Sequence, residues 1–324
     1  MPINIQLGLS EAKKLLATLH VDSLPPEVFE LQELLLTPSP NTVEVAAIIS
    51  RNPELLGNFL SITNQHLRRT EGELILEARA AVNLLGLKEI ENFFIASYLE
   101  KNLPCSASEQ TILRRSKRAA IAASEMAYWV SDVNRTECYL CCFVQDIGSL
   151  YLARANTPSA LKYFNDQLEY PLTAYHEEYQ SLQTSHAFIG SILAHQWHLG
   201  GVLDKSIMLH HSQDFEHLNA YDPRLAKMIA LIQLANGLVS QQFEAHGTLE
   251  YFESAEQTEP DTETAQDNSK EADQDESQYS ISDELKRCNE NAMAFLQLPD
   301  RALISARAAL DKWGVHCRDH IASH

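Results

Sequence analysis

Residues 106–130 read SASEQTILRRSKRAAIAASEMAYWV. Ser106 and, three residues on, Glu109 form a capping box, in which each side chain can satisfy a backbone N–H of the first helical turn. Behind the box, Ile112, Ser116, Ala119, Ala123, Met126 and Val130 recur at alternating steps of four and three. That spacing places them on one helical face. The stripe is narrow and rich in small residues, so the helix is expected to pack closely against neighbours on that face alone.

Similar signals lie on both sides. Asn52-Pro53 sets an N-cap residue before a proline at the first helical position, and Leu55, Leu56, Phe59 and Leu60 follow at helical spacing. Further helices are expected over Ser185–Trp197, Leu203–His211 and Pro223–Phe243. In the last of these Leu225, Ile229, Ile232, Ala235 and Val239 share a side. The stretch before His186, holding Tyr163, Phe164, Tyr170, Tyr175 and Tyr179, reads as an irregular connection whose aromatics pack onto the helices. No alternating strand of useful length occurs. Only 11 of 324 residues are glycine, under half the usual share of about 7%, which argues against a turn-rich β fold. The expected class is all-α.

Composition changes sharply near the C-terminus. The 32 residues from Glu253 to Glu284 hold twelve acids and one lysine, a net charge of −11. Such a segment has too little apolar surface to offset its chain entropy. The chain is therefore divided into a helical domain over 1–250, an acidic disordered linker over 251–282 and a helical pair over 283–324. Leu285, Cys288, Ala292, Phe295 and Leu296 line the first helix of the pair; Ala302, Leu303, Ala306, Leu310 and Trp313 line the second. Two short helices are marginal alone, so both are expected to dock on the main body.

The formal net charge is −19, of which the rest of the chain carries only −8. An acidic whole opposes nonspecific binding to nucleic acid or to an anionic membrane. The basic run Arg114, Arg115, Lys117 and Arg118 is expected to be a solvated helix face, with one member turned inward. No stretch reaches the roughly 18 apolar residues of a membrane span. No basic and apolar leader opens the sequence, and six cysteines are too few for a disulfide framework, so a cytoplasmic setting is expected. Cys138, Cys141 and Cys142 lie in an apolar run and read as buried core thiols rather than zinc ligands.

Common catalytic signatures are absent: there is no GxGxxG, GxxxxGK[ST], GxSxG or HExxH. What remains is Asp146, His186, His210 and His211, on successive predicted helices that a bundle could bring together. Adjacent histidines point about 100° apart on a helix, so both reach one metal only if the helix unwinds there or the site is multinuclear. On the residues alone, a core-bonded or capping role competes with metal binding.

Several motifs in order carry a resemblance. They are Leu24-Pro25-Pro26-Glu27-Val28; Val45-Ala46-Ala47-Ile48-Ile49-Ser50-Arg51-Asn52-Pro53-Glu54-Leu55; Ala81-Val82-Asn83-Leu84-Leu85-Gly86-Leu87; and Gln145-Asp146-Ile147-Gly148. Glu178, His186, Gly190, Trp197 and His210-His211 then come at a matching spacing. From about Leu24 to Phe243 the chain resembles the HDOD family, the HD-related output domains of bacterial signalling proteins. That family is distantly related to the HD metal-dependent phosphohydrolases.

The resemblance implies a degenerate metal site. Arg115 stands where the first metal-binding His would be, Gln145 replaces the His of a His-Asp doublet, and Asn236 falls where a late Asp is usual. Asp146, His186, His210 and His211 match retained ligand positions. A permanent cation at position 115 opposes a dication by charge repulsion. The resemblance thus implies a non-catalytic signal-transduction module with no cofactor, acting through a protein partner. Two alternatives stand beside it: a residual metal-dependent phosphohydrolase or phosphodiesterase, and a metal or small-ligand sensor using the vestigial pocket. A single divalent metal would sit on Asp146, His186, His210 and His211; without one, Asp146 is expected to pair with Arg115.

Because the acidic linker is expected to contribute no packing, deleting residues 254–280 should leave the Tm almost unchanged. Differential scanning calorimetry would show a loss of many degrees if the segment were part of the fold.

Overall fold

The computed structural model describes residues 3–103, 106–157, 160–246 and 281–314. Among these the regular structure is helical, with no strand. In chain order the helices are α1 Ile5–Leu16, α2 Pro26–Leu35, α3 Thr42–Ile49, α4 Pro53–His66, α5 Ala78–Leu84, α6 Leu87–Asn102, α7 Ala107–Ala127, α8 Arg135–Val144 and α9 Ile147–Arg154. They continue as α10 Ala160–Asp166, α11 Pro171–Leu182, α12 His186–Gln196, α13 Gly201–Leu209, α14 Phe215–Tyr221, α15 Pro223–His246, α16 Asp283–Leu296 and α17 Asp300–Gly314. Among the described residues no helix is long and apolar enough to cross a membrane.

The expected caps are in place. Asn52 accepts from the backbone N–H groups of Glu54 and Leu55 at 3.0 and 3.2 Å, and Ser106 accepts from Glu109 N–H at 3.3 Å. Each such cap contributes about 1 kcal/mol by satisfying an otherwise orphaned donor. The carboxylate of Glu109 accepts from Arg154 of α9 at 3.2 Å, tying the start of α7 to a neighbouring helix.

Helix α7 is the axis of the bundle, and two expectations for it need correction. It ends at Ala127, so Val130 lies beyond it, and from Ala119 to Ala127 it is buried all round rather than along one stripe. The cause is size. Alanines and serines on every side let α8, α15 and α17 approach from different directions. The basic run is not a solvated face either. Arg115 is buried, Arg114, Lys117 and Arg118 are half-buried, and Lys117 pairs with Glu100. The stretch before His186 is also more regular than expected, since α10 and α11 occupy most of it. Tyr163, Phe164, Tyr175 and Tyr179 are buried there, whereas Tyr170 is exposed.

Cys138, Cys141 and Cys142 are fully buried free thiols of α8, and burial pushes Cys141 and Cys142 well above the usual thiol range. The C-terminal pair packs back onto the main body. Leu285, Cys288 and Ala292 bury α16 against α15, and Ala302, Ala306 and Leu310 bury α17 against α7. The acidic segment expected to be a disordered linker lies, up to residue 280, outside the described residues.

Two helix crossings and one anchor fix α12 within the bundle. A Cβ on Gly148 would lie 2.0 Å from the His186 backbone carbonyl, so α9 meets the start of α12 only because that residue is glycine. A Cβ on Gly190 would meet Ile207 at 2.9 Å, which seats α12 on α13. Trp197, at the end of α12, donates from Nε1 to the Asp22 carbonyl at 2.8 Å and anchors the other end of the helix. Gly148→Ala should therefore cost about 3 kcal/mol or more in urea unfolding, because backbone cannot retreat as a side chain can.

Candidate functional site

Helix α12 opens on His186, which is fully buried. Its Nδ1 lies 2.6 Å from Glu178 Oε2 of α11, and its backbone N–H donates to the same oxygen at 3.2 Å. A carboxylate accepts only, so Nδ1 carries the hydrogen and Nε2 faces the other way. Beyond Nε2 stand two more imidazoles. Helix α13 ends at Leu209, leaving His210 as its C-cap and His211 in the turn after it. The helix thus unwinds where the adjacent pair needs it to. His210 Nε2 lies 3.2 Å and His211 Nε2 lies 3.0 Å from His186 Nε2.

Each ring is held from behind. His210 Nδ1 donates to the Ile207 carbonyl at 2.7 Å, which leaves its Nε2 a bare lone pair. Gln233 of α15 fixes the turn by donating to the carbonyls of His210 and Ser212 at 2.8 and 2.7 Å. Tyr175 of α11 stacks on His211 with ring centroids 4.4 Å apart. Burial opposes charge on all three rings, but the Glu178 carboxylate outweighs it at His186 and raises that ring above the ordinary imidazole value. Burial, with the positive field of His186, pushes His210 down to about 4. Burial and both neighbouring rings hold His211 well below the ordinary value. Of the three rings, His186 is thus the one whose surroundings favour the charged form.

Asp146 sits at the junction of α8 and α9. It is 1% exposed, and neither carboxylate oxygen has a hydrogen-bond partner. Its Oδ1 lies 3.8 Å from His186 Nε2 and its Oδ2 lies 3.7 Å from an Arg115 guanidinium nitrogen. The expected Arg115–Asp146 pair is thus a charge contact without a hydrogen bond. Arg115 donates instead to the Phe164 carbonyl and lies 3.6 Å from the centroid of the Phe164 ring. Burial works against its charge and Asp146 partly restores it. The guanidinium stays cationic.

Gln145 and Asn236 answer each other. Gln145 Nε2 donates to Asn236 Oδ1 at 2.7 Å, and Asn236 Nδ2 donates to Gln145 Oε1 at 3.1 Å. The seven residues predicted from the sequence are thus brought together by α7, the α8–α9 junction, α12, the end of α13 and α15. Sequence reasoning placed Glu178 in a motif but gave it no role in the site, and it missed Gln167 and Gln233. Gln233 stands one helical step before Asn236 on α15, so helical spacing carried its signal. Gln167 closes the ring, its side-chain amide 3.3 Å from His186 Nδ1.

Among the described residues, the donor set has the spacing of a single metal ion's ligands. The nitrogens of His186, His210 and His211 lie within 4.8 Å of one another, as ligands of a single ion would. Asp146 adds a buried carboxylate with free acceptor capacity. Gln145 and Asn236 are engaged with each other in a reciprocal amide pair.

The HDOD domain profile matches residues 21–213, more than half of the chain. The chain belongs to the HDOD family. Asn236 lies beyond the matched region, and its place in the site rests on its bonds to Gln145. An HDOD domain protein from Geobacter sulfurreducens superimposes with a TM-score of 0.61 at 17% identity, with 99% of each chain covered. A protein of Shewanella amazonensis SB2B, provisionally named a phosphohydrolase, gives 0.61 at 16% identity, covering 97% of this chain and 96% of that one. An uncharacterized protein of Treponema pallidum (strain Nichols) is 22% identical over 219 residues, 65% of this chain and 42% of that protein. The chain therefore spans less than half the length of that relative.

The Glu178–His186 pair predicts a pH-dependent stability difference. Because the folded His186 value is raised, the pair's contribution is fully present below about pH 6.5 and is lost as pH rises through the folded value. Glu178→Gln keeps the shape and removes the charge. The gap between parent and variant in urea unfolding should be widest near pH 6 and narrow toward pH 9.

Proposed function

We propose that the chain is a non-catalytic signal-transduction module that acts on a protein partner and keeps a degenerate metal site as part of its core. The observation that carries this reading is the reciprocal Gln145–Asn236 amide pair. It stands where the family resemblance puts a metal-binding His and Asp, and it spends both side chains on each other. Metal-dependent phosphoester hydrolysis needs ions that activate water and clamp a phosphate. Here a fixed guanidinium lies beside the one retained carboxylate. A structure from Marinobacter aquaeolei VT8, provisionally named a signal transduction protein, shares the fold with a TM-score of 0.58 at 14% identity. It covers 99% of this chain and 68% of its own, and its name agrees with a signalling role.

A second reading is favoured by one observation, the convergence of three imidazole Nε2 atoms beside an unpartnered carboxylate. His186, His210, His211 and Asp146 would hold a single divalent ion, which would supply local positive charge. Glu178 and the Ile207 carbonyl would orient two of the rings. In this reading the pocket senses metal without turnover.

Hydrolysis of bis(p-nitrophenyl) phosphate with Mn²⁺, Mg²⁺ or Zn²⁺ separates these readings from an enzyme. The parent is expected to be no faster than Asp146→Ala; metal-dependent turnover abolished by that substitution overturns the non-catalytic reading. Restoring ligands with Arg115→His, Gln145→His and Asn236→Asp together should tighten Mn²⁺ binding by roughly tenfold or more in calorimetry. The sensor reading requires about one equivalent of zinc or iron in the purified parent, removed by His210→Ala.

A further inference from the structure

Between the histidine trio and the surface lies a cavity of about 30 Å³, room for a water or two. Arg115, His210, His211 and Asn236 form one wall, while Leu285 and Cys288 of α16 form the other. A segment C-terminal to the matched family region thus lines the cavity beside His210 and His211, the latter half-buried. Its seat is prepared on α15, where the Asn289 amide occupies the space that a Cβ on Gly237 would fill, 2.1 Å away.

Helix α16 is less deeply buried than the core helices. Only Leu285, Cys288 and Ala292 of its fourteen residues are buried. Phe295 also stacks on Phe215 with ring centroids 5.1 Å apart, and Met293 and Leu296 pack half-buried against the core; the remaining contacts are polar and largely solvent-facing. Glu284 accepts from the N–H groups of Leu172 and Thr173 at 2.7 and 3.1 Å and from the Thr173 hydroxyl at 2.6 Å. At the other end Asn291 donates to the Gln213 carbonyl at 2.9 Å. The joint to α17 is a single left-handed residue, Gln297, followed by Leu298 and Pro299. Elements held by few buried contacts and exposed hydrogen bonds open locally, well below the cost of global unfolding.

We propose that α16 is an intramolecular plug, latched by Glu284 and Asn291, which lifts as a unit to admit solutes to the histidine pocket. This regulation of access goes beyond the signalling reading and does not depend on whether the pocket holds metal. In the closed state burial pushes the Cys288 thiol up to about 11, so its reaction reports lifting. The fully buried thiols of α8 report global unfolding in the same sample.

In the full chain carrying Cys105→Ser and Cys317→Ser, N-ethylmaleimide should modify Cys288 at least about tenfold faster than Cys138, Cys141 or Cys142. Glu284→Ala with Asn291→Ala should accelerate Cys288 labelling a further roughly tenfold relative to those thiols. The same double substitution should speed carbethoxylation of His211 by diethylpyrocarbonate in parallel, read by peptide mass. Labelling of Cys288 at the pace of the α8 thiols overturns the plug, since α16 would then open only with the whole fold. So does His211 carbethoxylation that ignores the double substitution, since lifting would then not govern the pocket.

Discussion

The site depends on the close crossing of α9 and α12, where Gly148 faces the His186 carbonyl with no room for a side chain. That contact sets the start of α12 against the α8–α9 junction. It thereby brings His186 and Asp146, forty residues apart in sequence, to 3.8 Å. A bulkier residue at position 148 would separate the two helices and, with them, the acid from the imidazoles. The glycines of the Gln145-Asp146-Ile147-Gly148 motif and of the His186–Gly190 spacing are thus explained by helix packing, without reference to chemistry at the site.

With His186 protonated, charge alternates along a line of buried groups: Glu178, His186, Asp146, Arg115. Each charge has an opposite neighbour, and His210 and His211 stay neutral beside them. Isolated, any one of these charges would carry a large desolvation cost; together they form a compensated set. Arg115 is the residue that makes the compensation work without metal. It sets a permanent positive charge beside Asp146, and it is supported by the Phe164 ring and carbonyl rather than by the carboxylate itself.

Much of this was legible in the sequence because the signals were local. Asn52-Pro53 and Ser106 mark helix starts by the chemistry of their own side chains, whereas the helix expected over Leu203–His211 ends at Leu209, with His210 as its C-cap and His211 in the turn beyond. The extents of α10 and α11 were not legible, and α11 shows why. Its N-cap position is Tyr170, with no side-chain cap bond. The acceptor for its first turn is Glu284, more than a hundred residues downstream. The all-round burial of α7 was equally hidden, since alanine suits a helix face of any kind and only the arrival of three partners decides the matter. Arg115 lies in a basic run that reads as surface, yet the family resemblance already set it beside Asp146, where it is found buried.

The remote cap on α11 has a thermodynamic corollary. Helix α11 carries Glu178 two turns along from the end that Glu284 holds, so one rigid element touches both the C-terminal helix and the imidazole cluster. Two events acting on one element are linked reciprocally. If α16 moved aside, the first turn of α11 would lose the acceptor that Glu284 supplies, on the helix that presents Glu178 to His186. The C-terminal helix and the imidazole cluster thus share one supporting element.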